Sequence, residues 1–128
     1  MALTHVATVR NELADTVVDH FDDGTGDGKI RIYTTGFGSL LVDIDLNDPA
    51  FGDASAGVAT GDVTPTPEGT ATQTGTAAVF RATDSDNNEI FNGTVTATGG
   101  GGDMELSSLS ISTNDAVRIN SMTYTAPQ

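Results

Sequence analysis

Apolar side chains recur every third or fourth residue over the first part of the chain and every second residue after Lys29. That change of period divides the chain into one helix and a series of strands. Val6, Val9, Leu13, Val17 and Phe21 share one helical stripe over about residues 4 to 21, with Thr4 as the N-cap and Asn11, Glu12, Asp15 and Asp19 on the other face. The run Asp22-Asp23-Gly24-Thr25-Gly26-Asp27-Gly28 stops the helix and makes a turn. From there the pattern predicts a β region over about 29 to 125.

Ile30 and Ile32 alternate with Arg31 and Tyr33, and Leu40, Val42, Ile44 and Leu46 alternate with Asp43 and Asp45. Thr34 to Ser39 is short enough to join these two strands as a hairpin. Asn47-Asp48-Pro49 ends the second strand, because proline cannot donate to a ladder, and Phe51 is expected to pin the following loop to the core. Ala77 to Thr83 and Glu89 to Thr98 predict a further hairpin around the polar loop Asp84-Ser85-Asp86-Asn87-Asn88. Gly99 to Gly102 reads as a flexible tip. Leu109 and Ile111, then Val117 and Ile119, predict two closing strands turned at Asn114-Asp115. Residues 61 to 76 hold one large apolar side chain, Val63, and are expected to form an extended surface arm. Short strands separated by turns after one helix describe a mainly β domain, a compact antiparallel β-sandwich or jelly-roll-like barrel with one N-terminal α-helix.

Composition narrows the chemistry. The 128 residues are of a length for one domain with a modest core, and with no Cys there are no disulfides, thiol chemistry or zinc-thiolate sites. The N-terminus lacks the apolar run of a signal peptide and no segment is long enough to span a bilayer, so a soluble protein made in a cytoplasm is expected, with no membrane partner. Formal charge is −13, from 18 Asp and Glu against 5 Lys and Arg. Nucleic acid is not expected as a partner, since binding a polyanion requires a cationic patch. The acid excess reads either as a solubilising surface or as adaptation to high salt, where screening removes self-repulsion.

Few residues offer a site. Asp84, Asp86 and Asn88 have the alternate spacing that opens a calcium loop, but Glu89 stands where that loop needs glycine and Val95 where it needs a bidentate carboxylate, so an ordinary hairpin turn is the simpler reading. Asp22, Asp23 and Asp27 have the same standing. His5 and His20 lie too far apart on the predicted helix to share a metal or a substrate. Asp43 and Asp45 read as solvent-facing charges, with Arg31 on the adjoining strand as a partner. Asn92-Gly93-Thr94 is formally a glycosylation sequon, read more simply as a turn or bulge. With no nucleophile elbow, phosphate loop or aromatic platform in the sequence, an enzyme is not expected, nor a cofactor.

Asn47-Asp48-Pro49-Ala50-Phe51-Gly52, Gly57-Val58-Ala59-Thr60 and Gly75-Thr76-Ala77-Ala78-Val79-Phe80-Arg81, in this order of elements, resemble a family of small structural proteins encoded in the head modules of tailed phages and haloarchaeal tailed viruses. The resemblance runs over nearly the whole chain. It implies a virion component: a decoration or cement protein on the capsid surface, partnered by the major capsid protein and by its own copies as a homo-oligomer, a trimer being one order. Pro49, Phe51, Pro65 and Pro67 are the expected capsid or subunit contacts. The extreme acidity, the few aromatics and the short Thr34 to Ser39 connection depart from the family pattern. Two alternatives stand beside it, a neck or tail ring subunit (adaptor or tail terminator) and a carbohydrate-binding surface module.

Overall fold

The computed structural model describes residues 5–126. One helix, α1 (Ala7–Asp19), runs into a 3₁₀ turn at His20–Asp22. The predicted cap, Thr4, lies outside the described residues, and the N-cap position falls to Val6, whose side chain makes no capping bond. The helix is also rotated from the predicted stripe. Ala14, Val18 and Phe21 are buried, whereas Val6 is 69 % exposed, Val9 39 % and Leu13 38 %. The reason is polar. Asn11 Oδ1 accepts the Gly57 N–H at 2.7 Å and Asp15 Oδ1 accepts the Ala54 N–H at 2.8 Å, so two of the residues read as solvent-facing turn inward to satisfy loop backbone, while Glu12 and Asp19 stay exposed. Arg10 follows it, lying so close over Gly57 that a β-carbon there would sit 2.6 Å from the guanidinium carbon.

Eleven strands follow: β1 (Lys29–Tyr33), β2 (Leu40–Asp45), β3 (Val58–Thr60), β4 (Glu68–Thr70), β5 (Gly75–Thr76), β6 (Val79–Thr83), β7 (Glu89–Ala97), β8 (Met104–Leu106), β9 (Ser110–Ile111), β10 (Ala116–Arg118) and β11 (Thr123–Thr125). Five of them form one sheet in the order β2-β1-β6-β7-β8. The expected mainly β architecture with one N-terminal helix is present, and the antiparallel-rich sheet curls into a half-barrel. Ile30, Ile32, Val42, Ile44, Phe80 and Ala82 fill its inner side, as their alternation requires. Gly93 continues this inner row and is neither a turn nor a bulge. It pairs with Phe80, whose ring lies where a β-carbon at 93 would meet it at 2.8 Å.

One pairing breaks the antiparallel pattern, since β8 runs parallel to β7, Val95 opposite Met104. The glycine run makes this possible and is not a loose tip. Gly99 and Gly101 take positive φ, and Asp103 returns to accept the Thr94 N–H at 3.1 Å, so the chain doubles back along β7 before turning again.

The remaining pairs are nested: β3 with β11, β4 with β10, β5 with β9, around the innermost hairpin β6 and β7. Residues 58–76 and 110–125 thus form one interrupted antiparallel ribbon, the wrapping expected of a jelly roll. Two expectations change as a result. Residues 61–76 do not stand off the body, because Gly69 lies against β2, where a β-carbon would be 2.5 Å from the Asp43 carbonyl oxygen, and Ala71 and Pro67 are buried. The two closing strands turn at Ser112–Asp115 but pair with β5 and β4 instead of with each other.

Candidate functional site

The β6–β7 turn satisfies itself. Asp84 Oδ1 accepts the N–H groups of Asp86 and Asn88 at 2.9 Å each, and Oδ2 accepts Asn88 Nδ2 at 3.1 Å. Asn88 is thus a donor to Asp84 through both its backbone N–H and its side-chain amide. Its backbone N–H is the main cause holding the Asp84 carboxyl below the usual carboxylate range, against an opposing effect of burial. Among the described residues no three His, Cys, Asp or Glu side chains are grouped to hold a metal ion. Asp22 binds the Ala50 N–H at 3.0 Å, tying the helix end to the loop after β2. Burial raises its pKa above the usual value; the Ala50 bond opposes this, and Asp48, Asp19 and Asp23 add to it. His20 pairs with Asp23 at 2.8 Å, and His5 is exposed ahead of the helix.

The expected contact residues scatter. Pro49 and Pro65 are exposed, Phe51 is half-buried with its ring 5.3 Å from that of Phe21, and Pro67 is buried with its carbonyl accepting the Ile119 N–H at 3.0 Å. Phe51 anchors its loop as expected. Pro67 is an internal strut in this chain, in contrast to the exposed Pro49 and Pro65.

A different group emerges on the outer face of the sheet. Five of the seven aromatics, Phe21, Phe51, Phe80, Phe91 and Tyr124, join in one internal network. The other two, Tyr33 and Phe37, meet edge to face at 5.4 Å on the outer side. Arg81 lies over both rings, 4.1 Å from the Phe37 centroid and 5.2 Å from that of Tyr33, and Arg31 is 5.9 Å from Tyr33. The connection from Thr34 to Ser39 aims Phe37 at Arg81: Thr34 Oγ1 accepts the Ser39 N–H at 2.9 Å, and Phe37 takes φ 58°, a strained conformation for a bulky side chain.

Register explains the rest. Arg31 sits directly opposite Arg81 on one side and Asp43 on the other. Asp43 approaches Arg31 at 3.6 Å and Lys29 at 3.9 Å, and Glu89 approaches Arg81 at 3.0 Å. Sequence reasoning foresaw the Arg31 and Asp43 pair but missed the cluster. Arg81 lies fifty residues from Arg31, and alternation alone gives a face without giving its cross-strand neighbours.

Beside the cluster, Lys29, Arg31 and Arg81 are matched in number by Asp43, Asp45 and Glu89, while Glu105, opposite Thr96, adds a negative charge farther along the same face. A neutral patch of arginine and aromatic side chains on an acidic domain has the composition of the centre of a protein contact. Behind the sheet, a cleft of about 1110 Å³ lies between its inner side and the C-terminal strands, with Met104, Leu106, Val117, Ile119, Met122 and Tyr124 half-buried along it. Its ionisable lining groups, Asp103, Glu105, Asp115 and Arg118, are exposed at the rim. No paired acid and base faces its interior among the described residues. No family model, curated protein or solved structure matches this chain.

Proposed function

We propose that this chain is a non-enzymatic structural protein of a tailed virus, a decoration or cement subunit that covers the capsid surface and binds the major capsid protein and its own copies. The observation that carries the reading is the outer sheet face. In a chain this poor in arginine and aromatics, two of each converge beside Asp43 and Glu89, so acid and base are matched locally and another acidic protein can approach there with least repulsion. The full-length resemblance supplies the assembly context. A neck or tail ring subunit is the second reading, favoured by the acidic surface, which suits the wall of a DNA channel. A carbohydrate platform finds less support, because Tyr33 is buried and Arg81 covers Phe37.

Quantitative mass spectrometry of purified particles tests the proposal. A copy number comparable with that of the major capsid protein is expected, and particles lacking the subunit should be less resistant to heat, since binding to the assembled lattice stabilises it. Copies sufficient for one ring would move the protein to the neck or tail, and absence from particles would defeat the virion assignment.

A further inference from the structure

We propose that the Arg31 and Arg81 pair receives a carboxylate from a second copy of this chain, presented by that copy's turn at residues 22–27. The inference rests on the self-association part of the function proposed above. Like charges directly opposite on neighbouring strands repel, yet Arg31 and Arg81 are held in that register and converge on one Tyr33 ring. Their internal partners answer the charge only in part. Asp43 and Glu89 lie at ion-pair distance from the Nε groups, which are buried, and the two arginine side chains keep 23 % and 38 % of their surface exposed for a docking group to reach. Phe37, strained over Arg81, shields one side of the pair from water and so strengthens any ion pair formed beside it. A planar carboxylate answering two adjacent guanidinium groups fits this arrangement.

The chain is itself rich in the required chemistry. Of its 18 acidic residues, only Asp43, Glu68 and Glu89 meet a Lys or Arg among the described residues. The 22–27 turn presents exposed Asp23 and Asp27 with Asp86 beside it, and it is braced: Ser85 Oγ donates to the Asp23 carbonyl at 3.1 Å, and Gly24 packs directly on Ser85. A braced turn loses little freedom on docking. A turn on one copy meeting a face on the next is a head-to-tail contact, which closes into a ring when the rotation allows.

Sedimentation analysis at about 1 M salt, where a Debye length of about 3 Å removes the net repulsion but leaves a contact-range ion pair, provides the test. The wild type should show concentration-dependent association. The double variant Arg31→Glu/Arg81→Glu and the triple variant Asp23→Lys/Asp27→Lys/Asp86→Lys should each associate about 100-fold more weakly, and their equimolar mixture should regain association, because the intact turn of the first variant meets the intact face of the second. Circular dichroism checks that each variant folds. If the arginine variant does not, the exposed turn variant decides: weakened association supports the contact, and unchanged association overturns it. A monomeric wild type, an unaffected folded variant or a mixture that stays dissociated would likewise overturn it. A protein monomeric in solution but abundant on particles would defeat this contact while leaving the virion reading standing, and an associating protein absent from particles would do the reverse.

Discussion

The same substitution placed at two positions of α1 discriminates between the helix face suggested by the hydrophobic stripe and the face the fold buries. Val18 is 2 % exposed and belongs to the core cluster, whereas Val9 lies on the outer side. Val18→Ala removes two methyl groups at about 0.8 kcal/mol each, and the residual cavity brings the loss to about 2–3 kcal/mol. Alanine's better helix propensity returns roughly 0.5 kcal/mol, leaving a net destabilisation of about 2 kcal/mol. Val9→Ala gains the same propensity and loses little packing, so it should fall within about 0.5 kcal/mol of wild type. Against a total stability of about 5–15 kcal/mol the difference is large, and it corresponds to roughly 8 °C in Tm. Urea titrations with an unchanged slope measure it directly. A Val9→Ala loss equal to or larger than that of Val18→Ala would show that the helix packs through the predicted stripe, and the rotation argued from Asn11 and Asp15 would fall.

Gly93→Val should cost about 2 kcal/mol by overpacking, since a β-carbon there meets both the Phe80 ring and Asp103 Oδ2 at 2.8 Å; an unchanged urea midpoint would contradict this. The two shifted carboxyls act in opposite directions with pH. The lowered Asp84 contributes stability above its unfolded pKa that is lost as pH falls through its folded value, so Asp84→Asn should flatten the acid limb of a stability profile. The raised Asp22 favours the folded state below its unfolded pKa and loses that contribution as pH rises through its folded value. Asp22→Asn should therefore gain stability at neutral pH relative to acid, and a loss confined to neutral pH would refute the assignment. Thermal melts across a salt series should rise toward molar NaCl or KCl, because salt screens the self-repulsion of a −13 domain; a flat or falling series would sink that argument.

Large side chains made parts of this fold legible. β1, β2 and the hairpin around Asp84 follow from alternation and turn chemistry that need no knowledge of neighbours. The helix was placed but not oriented, because its buried face is built from Ala14 and Val18 beside polar groups that loop backbone recruits, and no wheel of hydrophobicity contains that loop. The ribbon was hidden for a related reason. Gly69, Ala71, Gly75 and Ala77 are strand or strand-flanking residues whose small side chains leave no two-residue rhythm to read, and Gly69 and Gly75 approach β2 closely. The arginine and aromatic cluster was half legible: alternation set Arg31 and Tyr33 on one face of their strand, but the meeting of Arg31, Arg81 and Phe37 depends on sheet order and on the conformation of one short connection.

The nesting of the ribbon has a consequence for how the chain reaches this state. Closing β3 onto β11 first would enclose 62 residues, from 61 to 122. Once β4 and β10 are joined, the same step orders only seven residues on one side and four on the other, which lowers the closure entropy by about 1.5 kcal/mol. Assembly outward from the Asp84 hairpin is thus the inexpensive order, each rung shortening the loop for the next, and the β3–β11 end is the last to close and the first to fray. α1 lies against that end. Its bonds from Asn11 and Asp15 to the segment just before β3 make it a clasp on an otherwise open zipper, so loosening the helix should release the chain's outermost rungs while the central hairpin stays protected from hydrogen exchange.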